Sequence, residues 1–408
     1  MNSVPGAKNE QRVERGFTLQ QWRISVSFFA FILIGLNDSA LGILLPSISA
    51  HYQLDKATVS LLFPTSSAGY LTAALASGPL LARLGRRAML GLGAAVFALA
   101  ALLIATQPPF ALLLLAFFGV GFGVAIIDAG LNAYIASLPR SVGLLNYLHA
   151  FYGVGALLGP VVVSAILAAA WRWSATYLVW AMLAVVVAVG FALLFEPRAA
   201  APHDAATGAT GTSVLRAALR LPVAWICALF LFIYVGTEVS LGSWSYSLLT
   251  ENRHISALYA AWMVSGYWLG LTLGRVTLAR VADRIGSRRL IEFCLGGAFL
   301  GALLVWVAPV GAVAALGLWF TGFSLGPLFP TTIAVLSELA PQRLQQSAIG
   351  LAASLGSMGG AAFPFIAGNL AQGVGLWTLL PFALALTLLM VATWTILQRT
   401  ARAETARP

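Results

Sequence analysis

Two carboxylates interrupt runs that are otherwise apolar. Asp38 stands in Gly35-Leu-Asn-Asp-Ser-Ala-Leu-Gly42, inside the run from Phe28 to Leu45. Asp128 stands in a similar run from Gly119 to Ala136. A carboxylate at membrane depth is costly unless it faces a wet cavity or a partner, so such residues mark pathways and proton relays. Burial disfavours the charge of a carboxyl, so one that is alternately wetted and buried can take up and release a proton. The expected chemistry is therefore proton coupling at Asp128 and Asp38. An ionised Asp38 would also accept hydrogen bonds from a hydroxylated solute.

Other polar groups share these runs. His149 belongs to a residue type that titrates near neutrality and relays protons. Asn37, Asn132 and Asn146 offer amide donors and acceptors suited to hydroxyls. Asn132 follows Asp128 by four residues and so shares its helix face. Glu238 is a third intramembrane acid, a site or gate residue or the partner of Arg275. Tyr152, Trp244 and Tyr267 are the mid-run aromatics favoured as stacking surfaces, since ligand pockets are commonly aromatic-lined. The expected substrate-binding set is thus Asp38, Asn37, Asn132, Asn146, His149, Tyr152, Glu238, Trp244 and Tyr267. Gly155-x-x-x-Gly159 and Gly266-x-x-x-Gly270-x-x-x-Gly274 read as close helix contacts.

The elements that carry these residues are membrane helices. Of 408 residues, 60% are hydrophobic and 9% charged, and the mean hydropathy is +0.90. Soluble domains carry about 25% charged residues. Continuous runs of about 20 apolar residues suit spanning helices, not the alternating strands of a barrel. Twelve runs are expected, near 21–49, 57–82, 88–106, 110–138, 142–170, 174–196, 222–249, 256–281, 287–307, 310–338, 345–371 and 376–398. This gives an N-terminal tail (1–20), a six-helix bundle (21–196), a linker (197–221), a second six-helix bundle (222–398) and a tail (399–408). The first 20 residues are polar, and no signal peptide is expected.

Twenty of the 23 Lys and Arg residues fall on one side of this arrangement, and only Lys56, Arg172 and Arg253 on the other. The positive-inside rule then makes both termini cytoplasmic. It also accounts for the net charge of +10 without nucleic acid. Cys227 and Cys294 read as packing residues. No phosphate-binding loop, metal cluster or nucleophile–base pair appears, so neither enzyme activity nor a metal or other cofactor is expected.

The halves repeat. Gly78-Pro-Leu-Leu-Ala-Arg-Leu-Gly-Arg-Arg87 follows the second run, and Val281-Ala-Asp-Arg-Ile-Gly-Ser-Arg-Arg289 follows the eighth. Parallel six-helix repeats place a binding site at the midplane between them. These basic loops resemble the signature of the major facilitator superfamily, Gly-x-x-x-Asp-Arg-x-Gly-Arg-Arg, with Ala82 standing where the family has Asp. The resemblance implies an all-α fold of two pseudo-symmetric six-helix bundles working by alternating access. It also implies gating by Arg83, Arg86, Arg87, Asp283, Arg284, Arg288, Arg289 and Glu338.

A narrower resemblance is to the fucose permease-like branch. It rests on Asn37-Asp38, Ile127-Asp128-Ala-Gly-Leu-Asn132-Ala-Tyr134, Asn146-Tyr-Leu-His-Ala-Phe-Tyr-Gly-Val-Gly155, Tyr234-Val-Gly-Thr-Glu238-Val and Phe329-Pro330-Thr331. That branch usually has Glu at the position of Asp128, and polar amides where His149 and Tyr152 stand. The resemblance implies a proton symporter for a small polar solute, a monosaccharide foremost. In it Asp38 binds substrate and Asp128 carries the proton, and the protein is monomeric in a bacterial inner membrane among its lipids. Two cavity carboxylates would serve Na⁺ as well as H⁺. The alternative is a proton-coupled antiporter exporting drugs or sugars. Gly155-x-x-x-Gly159-Pro160 resembles part of the antiporter signature, but Val163-Ser164 replaces its final glycine pair.

Overall fold

The computed structural model describes residues 18–139, 141–196, 217–308 and 310–405, without the side chains of 142, 279–280, 282–283 and 403–405. The expected N-terminal tail and linker, apart from residues 18–20 and 217–221, lie outside that description, as do residues 406–408 of the expected C-terminal tail and the side chain of Asp283. The described chain is helical throughout. Ten stretches are long and apolar enough to cross a membrane. One of them, Lys56–Ala105, makes two crossings, and Ala257–Ile285 adds another, giving the twelve expected.

The helices are α1 (Leu19–Tyr52), α2 and α3 (two arms, 62–84 and 86–105), α4 (Phe110–Ala136), α5 (Ser141–Ala168) and α6 (Ala175–Leu194). The second half comprises α7 (Pro222–Ser247), α8 (Ala257–Ile285), α9 (Ser287–Val307), α10 (Gly311–Leu339, broken once), α11 (Gln345–Gly373) and α12 (Leu379–Thr405). The last helix thus runs past the expected end at 398.

Local chemistry sets the ends. Thr18 and Gln21 form a capping box at the start of α1, each side chain bonding the other's backbone amide. The bend between α2 and α3 falls at Gly85 (φ 76°, ψ 167°). Its counterpart between α8 and α9 is Gly286 (φ 86°, ψ 149°). Both occupy a region open essentially to glycine alone. The two basic motifs therefore share a backbone shape as well as a sequence.

Packing repeats in the same way. Helix α1 lies mainly on α5 and the α2–α3 pair on α4, while α7 lies mainly on α11 and α8 on α10. Between the halves, α5 meets α8 and the α2–α3 pair meets α11, with α1 against α7. Glycines permit the closest crossings. A Cβ at Gly35 would lie 2.1 Å from the Tyr152 carbonyl oxygen, and one at Gly155 2.1 Å from that of Ile32, both at the α1–α5 crossing. A Cβ at Gly121 would lie 1.9 Å from the Ser66 oxygen at the α2–α4 crossing. In α8, Gly270 and Gly274 abut the backbone of Trp319 and Phe323, but Gly266 faces open space. The small-residue stripe read from the sequence is therefore two glycines deep, not three.

The halves are closed at one end. Lys56 Nζ lies 2.8 Å from Glu251 Oε2, and the Lys56 amide donates to Gln372 Oε1 at 3.0 Å. Asp55 caps the short helix Lys56–Val59 and so aims Lys56 at its partner. The Thr58 amide and hydroxyl hold the Asp55 carboxyl below its ordinary value. Beneath the ion pair, Gly42 rests on the backbone of Ser243, and Gly368 rests on Ser60 and Trp244.

Candidate functional site

A cavity of about 240 Å³ lies between the halves. Asn37 and Asp38 of α1, Ser66, Ser67 and Tyr70 of α2, Tyr152 of α5 and Tyr177 of α6 line one wall. Glu238 and Ser243 of α7, Trp268 of α8, and Ser357 and Gly360 of α11 line the other. Leucines, valines and phenylalanines, among them Phe63, Phe117, Val120 and Val235, supply the apolar remainder. Pro364 has no amide hydrogen, so the Gly360 carbonyl lacks its helical donor and is free as an acceptor at the wall. Trp268 Nε1 has no acceptor among the described residues.

Asp38 is exposed to this cavity although it sits at mid-helix. Its Oδ1 accepts from Asn37 Nδ2 at 3.1 Å and its Oδ2 from the Tyr152 hydroxyl at 3.2 Å. The glycine crossing of α1 and α5 at Gly35 brings Tyr152 within reach. Both partners are neutral, so the carboxylate can still accept from a ligand.

Glu238 occupies the corresponding place in the second half. Gly236 packs on Phe363 of α11, as Gly35 packs on α5. This acid is paired: Arg275 Nη2 lies 3.1 Å from Oε1 and 3.4 Å from Oε2. Arg275 Nε donates to the Gly326 carbonyl at 3.2 Å. That carbonyl is available because Pro330, four residues on, has no amide hydrogen to give it. The break in α10 therefore helps seat the arginine. The intramembrane partner weighed for Glu238 in the sequence is present, and Glu238 lines the cavity as well. Of the two corresponding acids, one is neutralised and one is not.

Asp128 lies one shell behind the wall. Its Oδ2 accepts from the Tyr70 hydroxyl at 2.8 Å and its Oδ1 from Asn132 Nδ2 at 2.8 Å. Asn132 also reaches the Asp128 carbonyl at 3.0 Å, as the four-residue spacing implies. His149 is within electrostatic reach of both Asp128 and Arg275, and its ring meets Phe31 edge-on at 5.5 Å.

The remaining expected residues fall elsewhere. Asn146 is exposed and does not line the cavity. Trp244 is buried, donates to the Pro364 carbonyl at 2.9 Å and packs at the closed end. Tyr267 is buried and donates to the Glu238 carbonyl at 2.9 Å, behind the wall. Arg83, Arg284, Arg288, Arg289 and Glu338 are exposed, and Arg87 is half-buried. Among the described residues none of these six is in an ion pair. Arg86 lies over the Tyr134 ring at 5.3 Å.

Sequence reasoning passed over Tyr70, Tyr177, Trp268 and the cavity serines, and also the Lys56–Glu251 pair. Tyr70 had a signal: Ser66, Ser67 and Tyr70 place three hydroxyls on one helical face of an apolar run. The ion pair had none, because its partners are 195 residues apart.

The family model of the Major Facilitator Superfamily matches residues 27–250 and 232–408. The chain is 26% identical over 412 residues to Bypass of stop codon protein 6 of Saccharomyces cerevisiae, covering 93% of this chain and 82% of that one. It is 27% identical over 383 residues to a glucose/galactose transporter of Brucella abortus, covering 88% and 89%. Its fold is similar to that of the E. coli fucose:proton symporter FucP, with a TM-score of 0.63 at 20% identity over 93% of this chain and 98% of that one. A multi-pass membrane chain of two repeated six-helix bundles around a central cavity, matched over nearly its whole length, belongs to the major facilitator superfamily and is a transporter, not an enzyme.

Proposed function

We propose that this transporter is a proton-coupled symporter of a small polar solute, a monosaccharide foremost. The observation that carries the reading is the cavity wall: one unpaired carboxylate, Asp38, among tyrosine and serine hydroxyls. At about 240 Å³ the cavity is smaller than the ~300–1,000 Å³ usual for drug-sized ligands, which favours a compact solute over an amphipathic drug. Arg275 is occupied by Glu238, and among the described residues lining the cavity there is no Lys or Arg to greet an anionic substrate. The sugar named for the Brucella abortus relative points the same way.

In this mechanism Asp38, Asn37 and Tyr152 bind solute hydroxyls, with Trp268 opposite. Asp128 takes the proton, and His149, within electrostatic reach of it, relays that proton. Residues 21–196 and 222–398 rock as two bodies about the cavity, joined by a cytoplasmic linker. With both termini cytoplasmic, in a bacterial inner membrane, the closed end is external and the cavity opens inward. The six basic residues of the two signature loops then pair with Asp283 and Glu338 only when the inner end shuts. The protein works as a monomer.

Purified protein in liposomes tests the reading. Gradient-driven uptake of D-glucose or D-galactose is expected. Efflux of a drug against an opposed gradient, with no sugar uptake, would transfer the assignment to antiport. Stimulation by Na⁺ in place of H⁺ would change the coupling ion.

A further inference from the structure

A symporter has to make solute binding and protonation depend on one another, yet the groups assigned to the two events do not touch. Asp38 faces the cavity and Asp128 stands behind its wall. A linkage of this kind is a coupling free energy, commonly about 1–3 kcal/mol, and it requires a group that feels both events.

Tyr70 meets that requirement by position. Its ring lines the cavity, and its hydroxyl is 2.8 Å from Asp128 Oδ2. The charged and titratable groups facing Asp128 are Tyr70 from α2, His149 from α5 and Asp38 from α1. Tyr70 and Asp38 both line the cavity, and of these two Tyr70 is the one hydrogen-bonded to Asp128. The contact is built on a rigid seat. Gly69, next to Tyr70, packs against the Phe118 carbonyl, where a Cβ would lie 2.0 Å from the oxygen. Gly121, two helical turns before Asp128, packs against Ser66 on the same crossing. The α2–α4 pair therefore cannot slide to separate hydroxyl from acid without breaking backbone contacts.

We propose that Tyr70 is the coupling residue of the transporter, a hydroxyl that switches its single hydrogen between Asp128 and the bound solute. This rests on the symport reading above. While Asp128 is ionised, the Tyr70 hydrogen is held by the carboxylate, and the phenol oxygen can only accept from the solute. When a proton arrives on Asp128, the carboxyl is neutral and holds that hydrogen less strongly, because charge-assisted hydrogen bonds are about twice as strong as neutral ones. The hydroxyl then turns and donates to a solute oxygen at the cavity wall. No bond beyond hydrogen bonds changes, and the proton on Asp128 is the transported one. Solute affinity rises with protonation, and by reciprocity proton affinity rises with solute.

The test is Tyr70→Phe in the full-length protein, which removes one oxygen and leaves the ring and the glycine crossing. D-glucose and D-galactose are the probes in proteoliposomes. Exchange at equal pH on both sides should continue with weaker solute binding, whereas gradient-driven accumulation should fall by about 5- to 150-fold, the range of such couplings. The half-saturation concentration, which should vary with pH in the wild type, should become independent of it. A Tyr70→Phe protein with wild-type accumulation and pH dependence would overturn the proposal and leave the symport reading standing. If the wild type moves neither sugar, the substrate reading fails, and infrared titration decides on Tyr70 alone. The carboxylic C=O band that Asp128→Asn abolishes should change frequency and titration midpoint in Tyr70→Phe. An unmoved band would overturn the proposal.

Discussion

Gly42→Ala isolates the conformational claim. In the closed end a Cβ at Gly42 would lie 2.5 Å from the Ser243 carbonyl oxygen, 2.7 Å from its Cα and 2.9 Å from its carbonyl carbon. All three are backbone atoms, so no side chain can swing aside. Overpacking of this kind costs about 1–3 kcal/mol. The clash exists only while α1 and α7 touch, so the whole cost falls on the state seen here. The Lys56–Glu251 pair, about a third exposed, contributes about 0.2–1 kcal/mol and cannot hold the end shut against it. The equilibrium should therefore move toward the opposite-facing state by about 5- to 150-fold. Spin labels at Gln53→Cys and Asn252→Cys, one in each half, read this as a longer distance population. Gly143→Ala, where a Cβ meets nothing within 4 Å, is the neutral control. Gly35→Ala strains a contact inside one half, present in every state, so it should lower stability without favouring either. An unchanged distance distribution in a well-folded Gly42→Ala protein would refute the reasoning.

Further outcomes are expected. Lys56→Glu should weaken closure at the same end, and Lys56→Glu with Glu251→Lys should restore it, both read by the same labels. Arg275→Leu leaves Glu238 unpaired beside the cavity. Breaking a buried pair costs about 3–5 kcal/mol, discounted to about 2 kcal/mol because the arginine side chain is 33% exposed. Thermal unfolding in detergent should show that loss, and adding Glu238→Gln should recover most of it. Asp38→Asn keeps the side chain's shape and one acceptor oxygen but removes the charge, so solute affinity should fall by about tenfold, the scale of one charge-assisted hydrogen bond, as read by substrate-protected labelling. The cap at Asp55 should be present above the ordinary carboxylate value and fail as pH falls through its lowered one, freeing the Lys56 turn, which hydrogen exchange at Thr58 would report.

Much of this was legible in the sequence because membranes impose simple rules. Apolar length gave the twelve crossings, and the duplicated basic motif gave the repeat. An acid in an apolar run is conspicuous, so Asp38, Asp128 and Glu238 could be picked out without a structure. The Asp128–Asn132 contact followed from helical periodicity. What periodicity cannot supply is which face of a helix meets a cavity. Trp244 and Tyr267 satisfy their polar atoms on neighbouring backbone carbonyls, while Tyr70 and Trp268 reach the wall. Bonds across the halves, Lys56 to Glu251 and Lys56 to Gln372, depend on how two bodies dock, which no local pattern encodes. The seat of Arg275 was half visible: Gly326-Pro327 and Pro330 announce a broken helix, but not that an arginine fills the break.

The central claim is that proton movement through Asp128 drives solute accumulation. Its most direct measurement is uptake of radiolabelled D-glucose and D-galactose by proteoliposomes, with and without an inward proton gradient, wild type beside Asp128→Asn. Gradient-stimulated accumulation is expected of the wild type, and exchange without accumulation of the variant. Equal gradient-driven accumulation by both proteins would remove Asp128 from the mechanism.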